Sequence, residues 1–184
     1  MTRTFTVSRS IVVQASPKAV YEQVSRPARM GRWSPENLGA TVEGRDEPAR
    51  VGLVFDGHNK RGAFRWTTRC TVTASDPGRS FAFRVHAIGL KRPRLRAPIA
   101  TWEYRFEDAG PADAGPGETG AGASSTRVTE TWTDDRRRWP DVVANAFDRI
   151  ATGGQTFAVF QAGNIDRTLG NLKKDLEGAG TPRT

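Results

Sequence analysis

From Phe5 to Trp132 this chain repeatedly places an apolar side chain at every second position, and beyond Pro140 it places one at every third, fourth or seventh. A period of two belongs to half-buried strands and a period near 3.6 to an amphipathic helix, so a sheet comes first and a helix covers it last. The first strand is TFTVSRSIVV, residues 4–13, with Phe5, Val7, Ile11 and Val13 on one side and Thr4, Thr6, Ser8 and Ser10 on the other. Ser16 as a cap, Pro17 at the first helical position, then Ala19, Val20, Gln23 and Val24 before Pro27 predict two short helices with a break between them. Strands return near 38–45 and at 51–59, with HNKRG as a hairpin turn. Phe64, Trp66, Thr68, Cys70 and Val72 form the next inward set, and after the DPGR turn Phe81, Phe83 and Val85 continue it. Residues 89–98, GLKRPRLRAP, read as a loop. Ala100, Trp102, Tyr104 and Phe106 follow on one face, and TRVTETWTDD closes the strand series.

The final period, carried by Val143, Phe147, Ile150, Phe157, Gln161, Ile165, Leu169, Leu172 and Leu176, predicts one long helix from Pro140 to about Glu177. Gly153-Gly154 lies inside it and should kink it or admit something bulky. With 184 residues the chain fits one domain over 1–184, large enough for a sizeable core. Residues 108–124, DAGPADAGPGETGAGAS, lack apolar bulk and read as a flexible hairpin loop, and 178–184 as a disordered tail.

Cys70 is the single cysteine, which excludes an intramolecular disulfide framework and a thiolate-rich metal site. No apolar run approaches a membrane span, and the amino terminus alternates instead of forming a signal-peptide core, so a soluble cytoplasmic protein is expected. The 28 Lys and Arg against 20 Asp and Glu give a formal charge of +8. Clustered, as in Lys60-Arg61, KRPRLR and Arg136-Arg137-Arg138, such charge favours acidic ligands or an anionic membrane, with which the Arg-rich loops are expected to make weak contact. Nucleic acid is not expected, because the aromatics point inward. His58 and His86 lie out of the inward register and at no metal-ligand spacing, so neither a metal site nor a cofactor is expected. No phosphate loop, nucleophile elbow or dinucleotide fingerprint is present.

Strand, two short helices, further antiparallel strands and a last helix is an α+β order in which helices cover one face of one sheet. PARMGRWSPE, VGLVFDGHNKRGAFRW, CTVTASDPGRSFAFRV, ATWEYRF and TRVTETW together resemble the SRPBCC superfamily, the polyketide cyclase/dehydrase and START-like lipid-transport proteins of Bet v 1-like fold. The likeness spans residues 3–176 and is greatest to small actinobacterial members. It implies a helix-grip architecture: a curved antiparallel sheet of about seven strands wrapped around a long C-terminal helix, with two short helices after the first strand. It further implies an apolar cavity between sheet and helix. Activity does not follow from such a fold, whose members include carriers, receptors and cyclases.

Two polar residues fall in the inward register, Asn59 after Phe55 and Gly57, and Glu130 between Val128 and Trp132. A carboxylate there needs a partner or a proton. It can be hydrogen-bonded to Asn59, Thr68 or an Arg, can orient a ligand, or can act with Tyr104 in proton transfer. Glu103 falls on the other face, so a carboxylate pair is not expected. The expected ligand contacts are Trp33, Phe55, Asn59, Trp66, Phe83, Trp102, Tyr104, Glu130, Trp132, Phe157, Phe160 and Gln161, with Glu130 and Tyr104 the catalytic candidates. The partner is a hydrophobic small molecule, a lipid, polyketide or isoprenoid, held by a carrier or binding protein; the alternative is an aromatase/cyclase or dehydratase acting on a poly-β-ketone.

Overall fold

The computed structural model describes residues 3–44, 46–111 and 124–178. Seven antiparallel strands form one sheet in the order β1-β7-β6-β5-β4-β3-β2: β1 is Thr6–Val13, β2 Asn37–Val42, β3 Val54–Arg61, β4 Phe64–Asp76, β5 Ser80–Gly89, β6 Leu95–Pro111 and β7 Ser124–Asp134. Between β1 and β2 lie α1, Pro17–Val24, and a 3₁₀ helix, Pro27–Arg32; after β7 come α2, Asp141–Thr152, and α3, Phe157–Gly178. This is the helix-grip arrangement. The Ser16 hydroxyl caps α1 by accepting from the Ala19 amide at 3.3 Å, and Pro17 begins the helix as its sequence demands.

Alternation decides which face is buried. Val7, Val13, Phe55, Cys70, Val72, Phe81, Phe83, Tyr104, Phe106, Val128 and Trp132 meet Val20, Val24, Met30 and Trp33 from the short helices and Ile165, Leu169 and Leu172 from α3 in one apolar core. On the outer face hydroxyls pair across strands, Ser8 with Thr131 at 2.5 Å and Ser10 with Thr129 at 2.8 Å. α3 packs mainly along β1 and less closely along β7.

The single helix expected from Pro140 to Glu177 is instead two. α2 ends where Gly153 adopts φ 73° and Gly154 φ 106°, left-handed conformations that suit glycine and stop helical propagation. The spacing continues across the break because α2 carries an amphipathic pattern of its own, but its Val143 and Phe147 are about half exposed whereas Ile165, Leu169 and Leu172 of α3 are buried in the core. β6 begins at Leu95 and runs to Pro111, so the expected loop at 89–98 is shorter and residues 108–111 are strand; 112–123 and 179–184, most of the expected flexible loop and tail, lie outside the described residues.

α2 lies at the end of the sheet where β7 closes and β3 turns into β4, the end that also carries the β5–β6 turn, and buried ions fix it there. Arg136, expected among the surface cations, is 5% exposed. Its guanidinium donates to Asp134 at 2.9 and 2.8 Å and to Asp148 of α2 at 2.9 Å, while Arg3 donates to Asp134 at 2.5 Å. Burial opposes ionisation of Asp134, but the hydrogen bonds from Arg136 and Arg3 outweigh it and hold the carboxyl below its ordinary value. Asp148 also accepts from the Phe157 amide at 3.2 Å, which joins the start of α3 to the same cluster. One turn further on, near the C-terminus of α2, the Ala151 carbonyl accepts from Arg61 of β3.

Arg136→Ala strands two buried carboxylates, and denaturant titration is expected to show a loss of about 3–5 kcal/mol. Arg136→Lys is expected to recover less than half of this, because an ammonium cannot span both carboxylates with a planar fork.

Candidate functional site

The inward residues of β1, β7, β6 and β5 align in rows across the sheet. Nearest α2, Asp134 faces Ala100; the next row is Val7, Trp132, Trp102 and Phe83; below it come Arg9, Glu130, Tyr104 and Phe81; then Ile11, Val128 and Phe106. Glu130 therefore lies two rows beneath the ion cluster, under a row that contains two tryptophans.

Glu130 is 1% exposed and Tyr104 5%. The Tyr104 hydroxyl donates to Glu130 Oε1 at 2.8 Å, and Glu130 Oε2 is buried with no hydrogen-bond partner among the described residues. The expected partners Asn59, Thr68 or an Arg are thus replaced by Tyr104, because register sets it directly opposite Glu130 while Asn59 and Thr68 lie on β3 and β4. Arg9, opposite Glu130 on the other side, turns away to Asp166 of α3 at 3.5 Å and to the Ser8 carbonyl. Without a cation, burial dominates and pushes the Glu130 carboxyl up to about 8, against a smaller opposing effect of the Tyr104 hydrogen bond. Burial, followed by the charge of Glu130, likewise raises Tyr104 well above its ordinary value. At neutral pH the pair is therefore a neutral acid and a neutral phenol. Because Oε1 accepts from Tyr104, the acid's own proton belongs on Oε2, a buried donor.

The other expected residues divide into interior and rim. Phe55 and Phe83 meet edge to face at 5.4 Å, and Trp132 stacks on Phe157 at 6.4 Å beside Phe160. Trp66, Trp102, Phe157 and Phe160 are half-buried. Trp33 is 1% exposed beneath α3, where its carbonyl accepts from Asn171. Asn59 is held by local bonds to Asn37, Thr68 and the Gly57 carbonyl. Gln161 accepts from Asn164 at 3.2 Å. Cys70 is buried, and burial pushes its thiol up to about 12, so it is an inert core residue. His58 and His86 face outward and bond Thr41 and Thr71. Among the described residues no cluster has the composition of a metal site.

The sequence reading missed the rim that joins β3 to α3. Arg61 binds Glu36 and lies over the Phe160 ring at 4.0 Å and the Trp66 ring at 5.5 Å, while Asn164 donates to Glu36 at 3.0 Å. A signal existed: Arg61 continues the parity of Phe55, Gly57 and Asn59. Two clefts, of about 160 and 290 Å³, share Val42, Gly44 and Glu47 at the β2 edge, remote from Glu130. They lack a buried ionisable group, so the interior pair is the stronger candidate.

The family described as polyketide cyclase/dehydrase and lipid transport matches residues 4–177, and the chain belongs to it. No curated protein matches. Among solved structures, a START superfamily protein from Mycobacterium smegmatis has a TM-score of 0.60 at 13% identity, over 96% of this chain and 99% of that one. Protein NE0264 from Nitrosomonas europaea gives 0.60 at 12% identity over 95% and 96%. The Polyketide_cyc-like protein Cgl2372 from Corynebacterium glutamicum gives 0.53 at 24% identity over 97% and 95%. These likenesses establish the shared fold. No helix among the described residues is long and apolar enough to cross a membrane.

The proton on Glu130 links folding to pH. The folded state keeps it up to about pH 8, whereas the unfolded chain releases it near 4.5, so this group's contribution falls by roughly 5 kcal/mol as pH rises through that window. Glu130→Gln keeps the shape and removes the titration. The stability difference between the variant and the wild-type protein, followed by denaturation from pH 5 to 8, is expected to shift in the variant's favour. Tyr104→Phe deletes the one hydrogen bond that favours the carboxylate, and carboxyl carbon chemical shifts are expected to show Glu130 titrating higher still.

Proposed function

We propose that this protein binds a hydrophobic small molecule, of lipid, polyketide or isoprenoid type, between the inner face of the sheet and α3, and that neutral Glu130 donates a hydrogen bond from Oε2 to a ligand oxygen. The observation that carries this reading is the buried oxygen without a partner, directly beneath the row of Trp132 and Trp102 in an otherwise aromatic interior. Such an atom costs about 1–3 kcal/mol if nothing ever pairs with it. A ligand carbonyl or hydroxyl removes that cost, and the surrounding rings supply area and shape. Family membership supports the same class of ligand. Entry requires displacement of half-buried rings at the rim, among them Trp102, Phe157 and Phe160, because Glu130 and Trp132 are closed off from solvent.

A second reading uses the same atom. A carboxylic acid that titrates near 8 is a fit general acid at neutral pH, and in a cyclase or dehydratase it would protonate an enolate or a departing hydroxyl, with Tyr104 holding its other oxygen. The chain's aromatic walls would fold a poly-β-ketone and exclude water.

The test begins with a native mass spectrum of the purified protein, followed by solvent extraction of any bound species of a few hundred daltons; an aromatic polyketide titrated against tryptophan fluorescence serves where none is bound. Affinity for an oxygen-bearing ligand is expected to fall about tenfold per pH unit above 8 as Oε2 loses its proton. Glu130→Gln retains a donor and should flatten that profile, while Glu130→Leu should weaken binding about tenfold or more at pH 7. Affinity that is indifferent to both substitutions would refute the assignment. Turnover abolished in Glu130→Gln with affinity kept selects the cyclase reading.

A further inference from the structure

α2 is held at the end of the sheet in one orientation. Its inner side carries Ala144 at 0% exposure and Asp148 at 3%, and Asp148 is bonded to Arg136. That anchorage forces the opposite side outward, where Val142 is 81% exposed and Val143 53%, while Phe147, 47% exposed, lies at the edge of that side and stacks on Phe157. At 100° per residue these three and Ala146 occupy one continuous arc of about 140°. An amphipathic helix normally turns such an arc into the core; here the core takes the other face. The same end of the molecule exposes Phe64 at the β3–β4 turn, and Leu90 and Leu95 flanking the β5–β6 turn, the last two each about two-thirds uncovered.

The exposed charges around this apolar end are predominantly positive, with Asp141 of α2 the exposed exception. Lys91, Arg92, Arg94 and Arg96 surround Leu90 and Leu95, and Arg149 borders the α2 arc; all are exposed. The nearby carboxylates are engaged: Glu36 with Arg61, Asp135 with Thr101 and Arg84, Asp134 and Asp148 in the buried cluster, and Asp141 with Arg3 at 3.8 Å. A protein partner complementary to this face would need acidic residues set among apolar ones. An anionic bilayer supplies both properties at once, a negative surface over an apolar layer.

We infer that α2 and the two neighbouring turns form a docking face for anionic lipid bilayers, with Val142, Val143, Leu90 and Leu95 entering the headgroup boundary and the KRPRLR segment engaging lipid phosphate. The inference is independent of which molecule occupies the interior. Docking would set the ligand's route, between the aromatic rim and α3, directly against the lipid.

The full chain is floated with vesicles of phosphatidylcholine alone and of phosphatidylcholine mixed with phosphatidylglycerol, at about 0.1 M and about 0.5 M salt. Binding is expected to the mixed vesicles, weak to the neutral ones, and reduced at high salt. V142D/V143D and R92E/R94E alter exposed positions only and are expected to keep the wild-type melting temperature while each loses at least tenfold in vesicle affinity. Failure to bind the mixed vesicles would overturn the inference, as would equal binding to neutral vesicles. Unchanged binding by V142D/V143D would leave only a general electrostatic attraction and would also overturn it. Sedimentation that shows a dimer abolished by V142D/V143D would assign the face to a second copy of the chain instead.

Discussion

The guanidinium of Arg136 decides where the last third of the chain goes. It follows the end of β7, bonds Asp134 on that strand and reaches Asp148 on α2, whose other oxygen accepts from the first residue of α3. One side chain thereby ties the sheet to both helices at the point where the chain leaves the sheet. Such a bridge is strong only while complete, since any one member removed leaves a buried ion without its counter-charge. The rings of Trp139, Phe147 and Phe157, each within 6 Å of Arg136, surround the cation with π-faces instead of water. The stacking of Phe157 on Trp132 and the contacts of Arg61 and Asn164 then continue the attachment of α3 to the sheet from that point.

Two ways of burying a carboxylate sit within five residues of each other on β7. Asp134 is ionised because two guanidinium groups hydrogen-bond it. Glu130 receives one neutral hydroxyl and keeps its proton. Both are almost inaccessible to solvent, but Glu130 lies deeper and has no cation beside it, whereas Asp134 has two. This difference also separates their roles. Every oxygen of Asp134 is used within the protein, so it stabilises the fold; one oxygen of Glu130 is not, so it is available to something else.

Much of this could be read from the sequence, and what could not has a physical reason. Period-two alternation told which face Glu130, Asn59 and Cys70 occupy, because parity along a strand is a local property. It did not tell that Glu130 meets Tyr104, because the neighbour across strands depends on register, which the intervening loop lengths leave open. The same parity extended by two residues beyond Trp132 reaches Asp134, yet that residue stands in a run of charges that reads as a solvated loop. Arg136 was legible only as charge: composition cannot distinguish a guanidinium in a buried bridge from one in water. Gly153-Gly154 was noticed as a weak point, but helical spacing continued on both sides of it, so the sequence pattern alone did not reveal a left-handed stop. The family likeness carried the fold further than it carried the site, since the Arg61, Glu36 and Asn164 contacts join residues far apart in the chain.

The distribution of charge connects these parts. The formal excess of +8 has no outlet in the interior: Arg3 and Arg136 balance Asp134 and Asp148 within one cluster, and Glu130 is neutral. The excess must therefore appear on the surface, and the exposed cations of the β5–β6 turn place part of it at the end where α2 lies. There it coincides with apolar side chains that the Arg136 anchor prevents from turning inward. A neutral interior and a positive, apolar end are thus two results of one arrangement. Held by Arg136 through Asp148, α2 presents Val142 and Val143 outward and sets only Phe147 against the ring of Phe157.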